Sequence, residues 1–148
     1  MPIPQFNEEG LLPEGIHDCT LEEIEFRFGR FLGSDRRPQL WQRFLEFVRE
    51  VRASGAIEAI LLDGSFATAK PDPNDIDIVL AVSALHNFDA DLPLALYNVM
   101  AQQRVRRRFG FDIVVVNANS EKFEQAVTFF KQVRQRPGAI KGILKLQV

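Results

Sequence analysis

Apolar residues recur along the chain in two rhythms, and the changes between them mark out the elements. Residues 1–18 follow neither rhythm. Pro2, Pro4, Gly10, Pro13 and Gly15 read as an irregular arm, residues 1–19, ahead of a domain spanning 20–148. Thr20 and Glu23 have capping-box spacing. Leu21, Ile24 and Phe28 follow at helical intervals until Gly29 and Gly33 interrupt. A longer helix is predicted near 36–53, with Pro38 tolerated in its first turn and Leu40, Phe44, Phe47, Val48 and Val51 on one face. Gly55 is its natural stop. Strands are predicted near 57–63, 75–82 and 111–117, the last carrying the clearest apolar run, Ile113-Val114-Val115-Val116. Helices are predicted near 92–108 and 120–134, with Ser120 as an N-cap, and Ile140–Val148 is left for a short final strand. This order implies an α/β fold, a small mixed β-sheet flanked by helices.

A chain of 148 residues, 46% hydrophobic and 26% charged, fits one domain with a real core. Its aromatic content is mostly core filler, with 13 Phe against one Trp and one Tyr. Trp41 is expected in the core or, if the chain dimerises, at an interface. Cys19 is the only cysteine, which excludes an intramolecular disulfide, and His17 and His86 lie far apart, which argues against zinc. His17 and Cys19 are read as structural. No apolar run is long enough for a membrane span, and the first residues lack the basic start and apolar stretch of a signal peptide, so a cytoplasmic location is expected. The net charge of −2 hides an asymmetry: residues 1–26 carry seven acidic groups and no Lys or Arg, whereas residues 101–148 carry ten basic groups against three acidic ones. Either the two ends neutralise one another or face solvent, or the basic end attracts a polyanion such as a nucleotide or RNA.

Three carboxylates stand in unusual places. Asp75 and Asp77 sit two apart in a predicted strand, so both leave the same face while Ile76 and Ile78 leave the other. Like charges side by side repel, and Asp is depleted in strand interiors. A cation between them would offset that cost; the alternative is a strand-end turn cap or a solvated edge. Asp112 repeats the arrangement among Phe111, Ile113 and Val114. Hard oxygen ligands of this kind suit Mg²⁺ or Mn²⁺.

Ahead of them, the apolar strand ends in Leu61-Leu62-Asp63-Gly64-Ser65, and nine residues separate Ser65 from Asp75. The ordered set of apolar strand, Gly-Ser, short spacer, Asp75-Ile76-Asp77-Ile78 and the later Phe111-Asp112-Ile113 resembles the signature of the polymerase-β-like nucleotidyltransferase superfamily across residues 57–117. The resemblance implies that Asp75 and Asp77 hold the metal ions, that Asp112 completes the site and helps deprotonate the attacking hydroxyl, and that Gly64 and Ser65 meet the triphosphate of an NTP such as ATP. Asp63 departs from the pattern, which has an apolar residue there; it is either a fourth site carboxylate or a strand-end cap. The brevity of the chain resembles the minimal, stand-alone members, some of which act with a separate partner, including as antitoxins that nucleotidylate a toxin.

Lys70 either neutralises a nucleotide phosphate or is simply solvated. The cluster Arg104, Arg106, Arg107 and Arg108 either complements a helix C-terminus or contacts a phosphate. Two function classes follow: a Mg²⁺- or Mn²⁺-dependent nucleotidyltransferase with a partner protein or RNA as acceptor, or a catalytically inactive nucleotide- or partner-binding module of the same fold.

Overall fold

The computed structural model describes residues 3–30, 35–70, 73, 76–83, 86–87, 93–132, 138 and 140–148. Among them, β1 (Ile16–Cys19), β2 (Ile57–Asp63), β3 (Asp77–Val82), β4 (Asp112–Asn117) and β5 (Ile143–Gln147) form one sheet in the order β1-β5-β2-β3-β4. The sheet is mixed: β1 runs parallel to β5 and β3 parallel to β4, while β2 is antiparallel to both β3 and β5. The fold is the expected α/β arrangement of a small mixed sheet flanked by helices. The helices are α1 (Leu21–Phe28), α2 (Arg36–Ser54), α3 (Leu94–Met100), α4 (Gln102–Phe109) and α5 (Glu121–Phe130).

Alternation along the strands sorts the core into two layers. Ile60, Leu62, Ile78, Leu80, Val82, Ile113, Leu144 and Leu146 face a large cluster with α1 to α4, built on Phe28, Trp41, Phe44, Phe47, Val105 and Phe109. Ala59, Leu61, Val79, Ala81, Val116 and Ile143 face a smaller cluster with Phe123 and Val127 of α5. Local chemistry sets the helix ends where the sequence predicts them. The Thr20 hydroxyl accepts from the Glu23 N–H and the Glu23 carboxylate from the Thr20 N–H, closing the capping box. Ser120 Oγ accepts from Phe123 N–H, and Gly55 ends α2 in the left-handed conformation at φ 75°.

Two expectations need correction. The arm does not stay irregular to residue 19, because its last four residues form β1. Their side chains carry little apolar signal; the backbone pairing with β5 makes the strand. The single helix expected near 92–108 is broken at Ala101, whose backbone is extended at φ −77°, ψ 112°. No Gly or Pro marks the break; it lets Val99 and Met100 of α3, and Val105 and Phe109 of α4, reach the same core from two directions.

Arg37 was not anticipated inside the core, yet it is 0% exposed. Its guanidinium donates to the carbonyls of Phe28 (3.1 Å), Phe66 (2.8 Å), Thr68 (2.7 Å) and Lys70 (2.5 Å from Nη2, 3.2 Å from Nε). Burial lowers its pKa to about 10, so it is charged at neutral pH. One cation thus fixes the loop that follows β2 against α1 and α2. Replacing Arg37 by Ala leaves these buried carbonyls without donors and should cost about 3 kcal/mol or more in urea denaturation. Arg37→Lys should recover less than half, since an ammonium lacks the planar fork that spans several carbonyls.

Candidate active site

Each candidate side chain is placed by an apolar neighbour in sequence. Phe66 follows Ser65 and is fully buried, 5.9 Å from the Phe28 ring. Ile76 and Ile78 flank Asp77, and both are fully buried. Phe111 precedes Asp112 and sits among Phe44, Phe47 and Phe109, with ring centroids 6.1–6.4 Å away. Burying these anchors leaves the polar side chains no choice of face.

The result is a row. Asp63 ends β2, Asp77 opens β3 and Asp112 opens β4; Asp63 is the register partner of Asp77, and Asp77 that of Asp112. Partners on neighbouring strands point to one face, here the α5 face shared with Leu61, Val79 and Val116. Adjacent strands lie about 4.8 Å apart, so the three carboxylates are side by side at one end of the sheet. Asp75 lies outside the described residues. Among those described, no group of three or more His, Cys, Asp or Glu side chains is arranged to hold a metal ion. Asp77 and Asp112 alone nevertheless fit the hard-oxygen requirement: Mg²⁺ is commonly held by one or two carboxylates together with substrate phosphates.

Gly64 joins this end of the sheet through a backbone at φ 83°, ψ −173°, a region open essentially to glycine. The single 3-10 turn Ser65–Ala67 follows, with the Gly64 carbonyl accepting from Ala67 N–H at 3.2 Å. Ser65 is half-buried. Lys70 is exposed, and its carbonyl is one of the four that Arg37 holds. The loop is also tied to the arm, since Ala69 N–H donates to the Gly10 carbonyl at 2.9 Å and Leu11 bridges Thr68.

Cations stand at both ends of the carboxylate row. Asp63, only 3% exposed, forms an ion pair with Lys141, whose Nζ lies 3.0 Å from its Oδ1. Burial outweighs that ammonium and pushes the Asp63 pKa up to about 6, with the Gly64 N–H lowering it and the Asp77 charge raising it. Lys141 is itself held: its N–H donates to the Lys131 carbonyl at 2.8 Å, and the next N–H, of Gly142, to the Leu12 carbonyl at 2.9 Å. Gly142 permits that approach, because a Cβ there would stand 2.2 Å from the Pro13 carbonyl oxygen. At the other end Arg106 pairs with Asp112.

The family follows from a match that spans residues 4–147. The chain belongs to DUF6932, a family of unknown function. Neither a curated protein nor a solved structure matches it. In this DUF6932 chain, therefore, the site rests on its own geometry. The structure sets Asp77 and Asp112 in register at the end of the sheet where Gly64 and Ser65 follow Asp63. Asp63 stands in the row as the register partner of Asp77. Two participants, Arg37 and Lys141, carry no reading from the sequence, and Arg106 is read there only as one of a cluster. Arg37 had a signal, lying three and four residues before Leu40 and Trp41 on the apolar face of α2. Lys141 and the specific pairing of Arg106 had none, since both are set by tertiary contacts.

The burial of Asp63 and Lys141 yields a testable asymmetry. Asp63→Asn strands a buried ammonium and should destabilise the protein by about 3 kcal/mol. The double replacement Asp63→Leu with Lys141→Met removes both charges and should restore most of that loss in chemical denaturation. A single Asp63→Asn change that costs nothing would show that the pair is not formed.

Proposed function

We propose that this protein is a metal-dependent nucleotidyltransferase that moves a nucleoside monophosphate from an NTP to an acceptor, a partner protein or an RNA, and releases pyrophosphate. The observation that carries the reading is the meeting, at one end of one sheet, of the Gly64-Ser65 turn with the register partners Asp77 and Asp112. A turn without a Cβ brings backbone N–H groups close to phosphate oxygens. Carboxylates with no apolar purpose, paired across strands, supply oxygen ligands beside it. Asp77 and Asp112, with Asp75 from the sequence motif, would hold Mg²⁺ or Mn²⁺. The ion supplies charge neutralisation on the phosphoryl oxygens.

The chain's own residues do the remainder. Gly64 and Ser65 orient the polyphosphate so that the leaving pyrophosphate lies away from the acceptor. Asp112, the more exposed of the row, accepts the proton of the attacking hydroxyl. The acceptor oxygen bonds to the α-phosphorus as the bond from that phosphorus to the bridging oxygen breaks, and the electron pair leaves with pyrophosphate. A binding module without turnover is the second reading, and one observation favours it: Asp63 and Asp112 already have cationic partners.

Asp77→Asn separates the two. Removing one charge of the row should lower nucleotidyl transfer by several orders of magnitude, while the metal-free protein keeps its stability or gains slightly from relief of repulsion. The assay is incubation with each labelled NTP, Mg²⁺ or Mn²⁺, and lysate from the source. Nucleotide-dependent thermal stabilisation without transfer, equal in the wild type and Asp77→Asn, would establish the binding module instead.

A further inference from the structure

The two cations that flank the carboxylate row differ in burial, and that difference assigns them different roles. Lys141 and Asp63 are 12% and 5% exposed in their side chains, whereas Arg106 and Asp112 are 69% and 57% exposed. The first pair is enclosed and its lysine is fixed by the backbone on both sides. An exposed pair is screened by water and contributes little, so separating it is cheap. Of Arg104, Arg106, Arg107 and Arg108, Arg106 is the one whose partner, among the described residues, belongs to the row. Arg104 bonds to Asn98 and covers the Tyr97 ring, and Arg108 pairs with Glu50 at 2.8 Å.

Building on the nucleotidyltransferase reading, we propose that Arg106 is an exchangeable counter-ion: it occupies Asp112 until a divalent cation takes Asp77 and Asp112, and its guanidinium then binds the polyphosphate of the nucleotide. A dication on Asp112 repels the arginine and claims the same oxygens, so the two compete. The released guanidinium remains on α4, six residues from Asp112 in sequence. Its planar fork matches two phosphate oxygens at once, and an NTP brings more negative charge than one dication neutralises. Arg106 therefore opposes the metal when it is alone and assists the metal–nucleotide pair.

Opposite signs make the test sharp. Mn²⁺ binding is read from the resonance of the free ion, and binding of a non-hydrolysable NTP analogue with Mn²⁺ is read by calorimetry. Arg106→Gln should bind Mn²⁺ alone about threefold more tightly, since a weak surface competitor is gone. The same variant should bind the analogue about tenfold more weakly, having lost a charge-assisted contact. Arg106→Lys should leave the Mn²⁺ affinity near wild type and still lose nucleotide affinity, while Arg107→Gln should match the wild type in both. Unchanged or weaker Mn²⁺ binding by Arg106→Gln, with a wild type that binds, overturns the exchange alone. Equal changes in Arg107→Gln would reduce the effect to general charge and also overturn it. A wild type that binds no Mn²⁺ overturns the nucleotidyltransferase reading, and the exchange with it.

Discussion

Like charges set side by side dominate this structure. Asp63, Asp77 and Asp112 occupy one rung of the sheet on three consecutive strands. Two unit charges at about 4 Å repel by about 1 kcal/mol in water and severalfold more near a protein surface. The fold keeps the row because each carboxylate is chained to apolar neighbours that must be buried. Ile76 and Ile78 hold Asp77, Phe111 and Ile113 hold Asp112, and Leu62 precedes Asp63. The flanking cations Lys141 and Arg106 reduce the repulsion at the two ends.

A second constraint fixes the loop beside that rung. Arg37 is the only charged residue other than Asp63 that is buried among the described residues. Its four carbonyl partners draw Phe66, Thr68 and Lys70 inward toward Phe28. The charge is solvated by peptide dipoles, which is costly unless every donor is used. Residues 66–70 are thereby tied to α1 and α2 just after the glycine turn. On the proposed reading, a turn held in this way beside the carboxylates leaves little ordering to be done when a phosphate chain binds.

Much of this was legible in the sequence. The capping box at Thr20, the stop at Gly55, the cap at Ser120 and the strands around residues 57–63 and 111–117 are local signals, and local physics sets them. The side-by-side placement of Asp77 and Asp112 needed one added fact, that β3 and β4 pair in register. The rest was hidden for identifiable reasons. β1 is held by backbone pairing to a strand more than a hundred residues away. The break at Ala101 answers to packing against α2 and β4 and has no breaker residue. Lys141 finds Asp63 because Gly142 lets the chain pass close to the arm, a contact no local pattern encodes.

Broadening of backbone amide NMR signals by substoichiometric Mn²⁺ locates the cation directly. With a centre at Asp77 and Asp112, the strongest loss falls on Gly64, Asp77, Ile78, Asp112 and Ile113. Signals at the opposite end of the same strands, Ile57, Val82 and Asn117, lie about 17 Å away by strand rise and keep the most intensity. Broadening centred instead on the acidic arm at Glu8, Glu9 and Glu14, or spread evenly over the surface, would contradict a metal centre on this rung.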